Sequence, residues 1–317
     1  MPNDRKDDTN KQLYFSGIAN LKTPENITPK KVIGFRRYSP LKYKDRVDYS
    51  VKYMEDNYPQ YTDRLKENIG TLKIRKLPNK KNLDRNGYYN PRTNTIFLYE
   101  DEPLEHELLH MASSIVVYTF RPHKNEYCGF MDYILGTGIN EGFTQYLAES
   151  WFGTDKTYQS QVDVTKKIIY IIGFDRMLSL YFTRGLKDLY EELRKYDYLD
   201  EYKTVSELIR NMDYINIPNC TSKDKYLLSI YDNIVYFYAG KLYNEVQDGK
   251  NMEQALLDFD SFINSLFTPG SELTIDETRF IDFESFKNDL LIKTESIKKV
   301  LSKQLRIDKK TLIKKQV

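Results

Sequence analysis

The stretch His106-Glu107-Leu108-Leu109-His110 decides how this chain reads, because it places two of the three histidines in 317 residues within five positions. On a helix, residues i and i+4 lie on one face, so both imidazoles can reach a single metal ion. Glu107 follows directly, where its carboxylate can take a proton from water beside that ion. The neighbouring sequence favours a helix. Asp101-Glu102-Pro103 supplies an acidic start and a proline tolerated in a first turn. From Leu104 to Val117 there is no glycine or proline, and Leu108, Leu109, Ala112, Ile115 and Val116 form an apolar face at helical spacing. Upstream, Thr93 to Tyr99 is β-branched and aromatic after the turn-like Asn90-Pro91, so a strand is expected there. A strand leading into the metal helix would offer an extended peptide an edge, which makes Asn94, Thr95, Ile96 and Phe97 candidate substrate-binding residues. Taken alone, the same run fits an ordinary core strand equally well.

Two imidazoles do not complete a zinc site, so a third ligand must come from elsewhere. A continuation ending in a third histidine would need glycine at 113 and histidine at 116; the chain has Ser113 and Val116. His123, between Arg121-Pro122 and Lys124-Asn125, reads as a solvated loop residue. The stronger candidate lies between Gly136 and Glu149. There a glycine-rich turn leads into a second helix, on which Glu141, Thr144, Gln145 and Ala148 share a face. The pair Gly136-x-Gly138 does not signal a nucleotide site, since it lacks a third glycine and opens a helix rather than following a strand.

The His106-Glu107-x-x-His110 spacing is that of zinc hydrolases with glutamate as general base. Joined to Asn140-Glu141-x-x-Thr144, it resembles the gluzincin metallopeptidases over about residues 94–151. The resemblance implies that His106, His110 and Glu141 hold Zn2+ and that Glu107 is the catalytic base. It also implies that Asn140 and Thr144 support the ligands, Thr144 standing where the pattern has a small hydroxyl residue. Gln145 replaces the usual acidic partner of a ligand histidine. An amide accepts an imidazole N–H but lacks the charge that raises ligand basicity. A further donor is expected to stabilise the tetrahedral oxyanion, and Tyr181, Tyr236 and Tyr238 are candidates for it.

Thirty residues, 111 to 140, separate His110 from Glu141. This insert holds Tyr118, Phe120, Tyr127, Phe130, Met131 and Tyr133, so it is either a wall of the substrate cleft or a packed peripheral helix. With 48 basic and 46 acidic residues the net charge is +2, which gives no global field favouring nucleic acid or a membrane surface. The 27 tyrosines come without the net basic bias that accompanies a base-stacking platform, and are read as a compositional habit of the source rather than as one. Cys128 and Cys220 show no disulfide or metal spacing and read as free thiols in a reducing compartment. The charged start Met1 to Asp8 lacks an apolar segment, and Ile168 to Phe174 is too short to span a bilayer. A cytoplasmic location is the expectation.

The fold class expected is α+β, mostly α, in three parts. A polar arm covers 1–37. A metallopeptidase core covers 38–155, with a helical pattern from Tyr43 to Ile69 interrupted at Pro59, a strand from Thr71 to Leu77, the strand near Asn94 and the two zinc helices. A helical lobe covers 156–317 and closes the cleft, with breaks at Gly173 and Gly185 and later helices near Val205–Met212, Tyr226–Asp248, Met252–Leu266 and Phe283–Gln304. The function expected is zinc-dependent hydrolysis of a peptide or protein substrate. The alternatives are a catalytically silent metal-binding module whose helical lobe holds a partner protein, and a zinc hydrolase of a non-peptide amide.

Overall fold

The computed structural model describes residues 42–78, 86–117, 125–132, 135–197, 203–215 and 222–316. The arm expected at 1–37, His123, Cys220 and, from the aromatic insert, Tyr118, Phe120 and Tyr133 lie outside the described residues. The chain enters through α1 (Lys44–Asn57), a 3-10 turn (Pro59–Tyr61) and α2 (Asp63–Ile69), the helical pattern breaking where Pro59 has no N–H to donate. Next come β1 (Lys73–Lys76), β2 (Gly87–Asn90) and β3 (Thr95–Leu98), in the sheet order β1-β3-β2.

That order corrects the expectation for residues 94–97. β3 runs parallel to β1 on one side and antiparallel to β2 on the other, so it has no free edge to offer a peptide. Thr95, Ile96 and Phe97 are buried, as an uninterrupted apolar run in a central strand should be. Asn94 lies just before the strand at φ +45° and donates to Asn68 O (2.6 Å) and Thr71 Oγ1 (2.8 Å), a turn-fixing role.

The metal-motif helix is α3 (Leu104–Ser113), all ten residues of which are buried. At its start, Arg46 of α1 pairs with Glu105 and donates to Asp101 O (2.7 Å). At its end, Arg64 of α2 donates to Ser113 O (3.0 Å) and Asn68 donates to Met111 O (2.9 Å), satisfying carbonyls with no partner inside the helix. The helix therefore stops four residues short of Val117, where the run without glycine or proline ends. Ser114–Val117 form β4, antiparallel to β5 (Asn125–Cys128), which pairs with β6 (Met131–Asp132). The β-branched run Ile115-Val116-Val117 favours the extended form. Ile115 and Val116 thus belong to a strand, and between α3 and the next helix the described residues of the insert form a three-stranded antiparallel sheet rather than a helix.

The remainder is helical: α4 (Thr137–Phe152), α5 (Gln159–Ile172), α6 (Phe174–Ser179), a π-type segment (Leu180–Arg184), α7 (Leu186–Arg194), α8 (Lys203–Ile215), α9 (Lys223–Gln247), α10 (Met252–Phe267) and α11 (Phe283–Gln316). The breaks fall at Gly173 and Gly185, both at positive φ. The 25-residue α9 packs against α5, α8, α10 and α11, while α4 packs against α5, α8 and α3. Buried apolar side chains from before and after residue 155 form one continuous cluster. The protein is α+β and mostly α. Among the described residues no helix is long and apolar enough to cross a membrane.

Candidate metal centre

Two helices supply the centre, and each is held by groups distant in sequence. α4 begins after Gly136, whose φ of +79° turns the chain out of that three-stranded sheet, a conformation that costs glycine little. Asp213 of α8 accepts from Gly136 N (3.0 Å) and Gly138 N (2.7 Å), capping donors that the helix itself leaves unpaired. Further along, a Cβ at Gly142 would stand 2.6 Å from Gln161 O, so α4 can lie this close to α5 only with glycine beside Glu141.

With α3 and α4 so fixed, three donor atoms converge. His106 Nε2 lies 3.0 Å from His110 Nε2 and 3.1 Å from Glu141 Oε2, and His110 Nε2 lies 3.6 Å from Glu141 Oε2. A tetrahedral zinc with bonds of about 2.0–2.1 Å sets its ligand atoms about 3.3 Å apart, so this triangle fits one. Among the described residues these three form the one group of histidine, cysteine or carboxylate side chains suited to holding a metal. Glu141 is 17% exposed against 6% and 7% for the histidines, so solvent meets the triangle from the Glu141 side.

The hydrogen bonds behind His106 fix its proton. Gln145 Nε2 donates to Glu149 Oε1 (2.9 Å) and Asp155 O (2.7 Å), while its Oε1 accepts from Thr157 Oγ1 (2.7 Å). The atom facing His106 Nδ1 at 3.0 Å is therefore an acceptor, and Nδ1 carries the proton. This leaves the Nε2 lone pair of His106 aimed into the triangle. His110 Nδ1 has Asn140 Nδ2 at 3.3 Å and Thr144 Oγ1 at 3.5 Å. Asn140 in turn accepts from Phe130 N (2.9 Å), and Thr144 donates to Asn140 O (2.7 Å). Beneath α3, the Cys128 thiol donates to His110 O (3.2 Å).

Electrostatics separates the two carboxylates. Burial would raise the Glu141 carboxyl, but the adjoining imidazoles of His110 and His106 outweigh it and hold Glu141 well below the usual range. Glu107, on the same helix as both histidines, is pushed up by burial. The histidines oppose that shift, Glu141 adds to it, and the Tyr89 backbone N–H of β2 bonds the carboxylate. A carboxylate with a raised pKa beside two imidazoles and a second carboxylate suits proton transfer.

The oxyanion donors expected from the helical lobe are not at the open side. Tyr181 is fully buried and its hydroxyl donates to Thr144 Oγ1 (2.6 Å), behind His110; burial pushes its pKa up to about 12. Tyr236 donates to Asp197 (2.9 Å), and Tyr238 stacks on Phe262 at 4.0 Å between ring centroids. Aromatic packing and a remote carboxylate hold these three because helical spacing gives a tyrosine's face, not what lies opposite that face. The aromatic residue that does reach the centre is Tyr158, stacked on His106 with ring centroids 5.8 Å apart. Neither Tyr158 nor Asp213 carries a sequence signal, since each lies far along the chain from what it touches.

The chain matches no protein-family model, no curated protein and no solved structure.

Proposed function

We propose that this chain is a zinc-dependent peptide hydrolase of the gluzincin type. The single observation carrying the reading is the donor triangle of His106, His110 and Glu141 with Glu107 beside it. Two imidazoles and one carboxylate are a donor set suited to zinc, in the three-ligand form that leaves a position open for reaction. Zinc in that triangle would supply Lewis acidity to a carbonyl and to water. Glu107 takes the proton of the attacking water and passes it to the leaving amine. Gln145 keeps His106 in the tautomer that ligates, and the side chains of Asn140 and Thr144 meet Nδ1 of His110. The peptide lies near β2, an outer strand in the order β1-β3-β2, whose Tyr89 N–H bonds Glu107 and so sets that strand beside the reacting centre.

The test is metal content and hydrolysis together. Purified wild type should hold one zinc, H110A none, and H123A one. E107Q keeps the size of the side chain but removes its basicity, so zinc and thermal midpoint should survive while peptide cleavage falls on the order of 10²–10⁴-fold. Wild type that holds zinc yet cleaves nothing in a peptide library would transfer the site to a non-peptide amide or to a silent module.

A further inference from the structure

Two non-glycine residues among those described adopt positive φ, and one of them is a bulky aromatic, Tyr158, at φ +50° and ψ +32°. That conformation is strained for a tyrosine and persists only where its surroundings impose it. The surroundings are the turn between α4 and α5. Thr157 donates to Gln145 Oε1 (2.7 Å), Asp155 O accepts from Gln145 Nε2 (2.7 Å), and Gln159 donates to Glu149 Oε1 (2.7 Å). Both chain neighbours of Tyr158 are thus tied to α4, in large part through the same glutamine that bonds His106. The result is a ring laid over the His106 imidazole at 5.8 Å between centroids and 26° between planes.

A hydrogen bond at Nδ1 fixes one atom of an imidazole but leaves the ring free to rock about that bond. A flat group against its face removes the rocking. We propose that Tyr158 is a positioning residue for the metal centre, its ring holding the plane of His106 so that Nε2 stays aimed at the ion shared with His110 and Glu141. This rests on His106 being a metal ligand. The strained turn is then explained: a relaxed backbone at 158 would carry the ring away from His106, and the bonds to Gln145 and Glu149 prevent that. Gln145 serves both the edge of the imidazole and the turn that covers its face, so ligand and cover form one unit.

The experiment compares wild type, Y158F, Y158G and H110A, titrated with zinc against a competing chelator and with cobalt(II) followed by its visible absorption. Y158F keeps the ring and should match wild type in affinity and cobalt spectrum. Y158G removes the ring and relieves the left-handed backbone. It should bind zinc about tenfold or more weakly, with an altered cobalt spectrum, while the metal-free protein unfolds no earlier than wild type. Equal affinity and an unchanged spectrum in Y158G overturn the proposal. So does Y158F as weak as Y158G, which would assign the effect to the hydroxyl. A Y158G protein that fails to fold, or whose metal-free midpoint falls, makes the ring a packing element and overturns it as well. Wild type that binds metal no better than H110A removes the metal reading itself, and this inference with it.

Discussion

At position 145 the gluzincin pattern has an acid and this chain has glutamine, and the bonds around it give the reason. One end of the amide accepts from His106 and Thr157; the other donates to Glu149 and Asp155 O. A carboxylate could do the first but not the second. Q145E would leave the Asp155 carbonyl without its donor and set two carboxylates, 145 and 149, against each other. Thermal unfolding of metal-free Q145E should show a loss of about 1–3 kcal/mol, despite the closer match to the gluzincin pattern. A variant at least as stable as wild type would count against this account. The Glu107 environment makes the same point by a different route: its raised pKa comes from burial in the folded chain, while its two histidine neighbours work against the shift.

Between elements, the contact that matters most for the site is Asp213 of α8 on the first turn of α4, the helix that carries Glu141. Burial pushes this carboxyl up to about 6, although the N–H groups of Gly138 and Gly136 oppose the shift. A carboxyl raised in the folded state favours folding most when protonated. Its contribution is complete below about pH 4 and is lost as pH rises through about 6. D213N cannot ionise, so its midpoint measured relative to wild type should rise between pH 4 and pH 6 and stay constant above pH 7. A flat difference across that window would mean that Asp213 does not titrate there. D213A at constant pH loses the cap and should cost about 1–2 kcal/mol.

At the scale of the molecule, the donor triangle joins two elements, α3 with His106 and His110 and α4 with Glu141, within one continuous core. Metal binding should therefore stabilise the whole fold. Zinc at 100 times its Kd adds about 2.7 kcal/mol by mass action, read as a rise in the calorimetric midpoint that a chelator reverses and that H110A does not show. An unchanged wild-type midpoint at saturating zinc would contradict a preformed site. Much of the design was legible in the chain itself. Helical and strand periodicity marked most elements, Gly173 and Gly185 marked breaks, and the i, i+4 spacing put His106 and His110 on one face, because these are consequences of local backbone geometry. The convergence of Glu141 on those histidines was an expectation drawn from family resemblance, and spacing alone did not require it. The rest was settled by packing. β3 became a central strand because two strands flank it, one on each side, and α3 gave way to β4 at Ser114 because α2 satisfies the helix end and β5 offers a partner. Asp213 reaches Gly138 across 75 residues, and Tyr158 reaches His106 from another turn. Sequence periodicity reports which side of an element is buried. Which side chains then meet depends on how elements stack, and only the folded chain decides that.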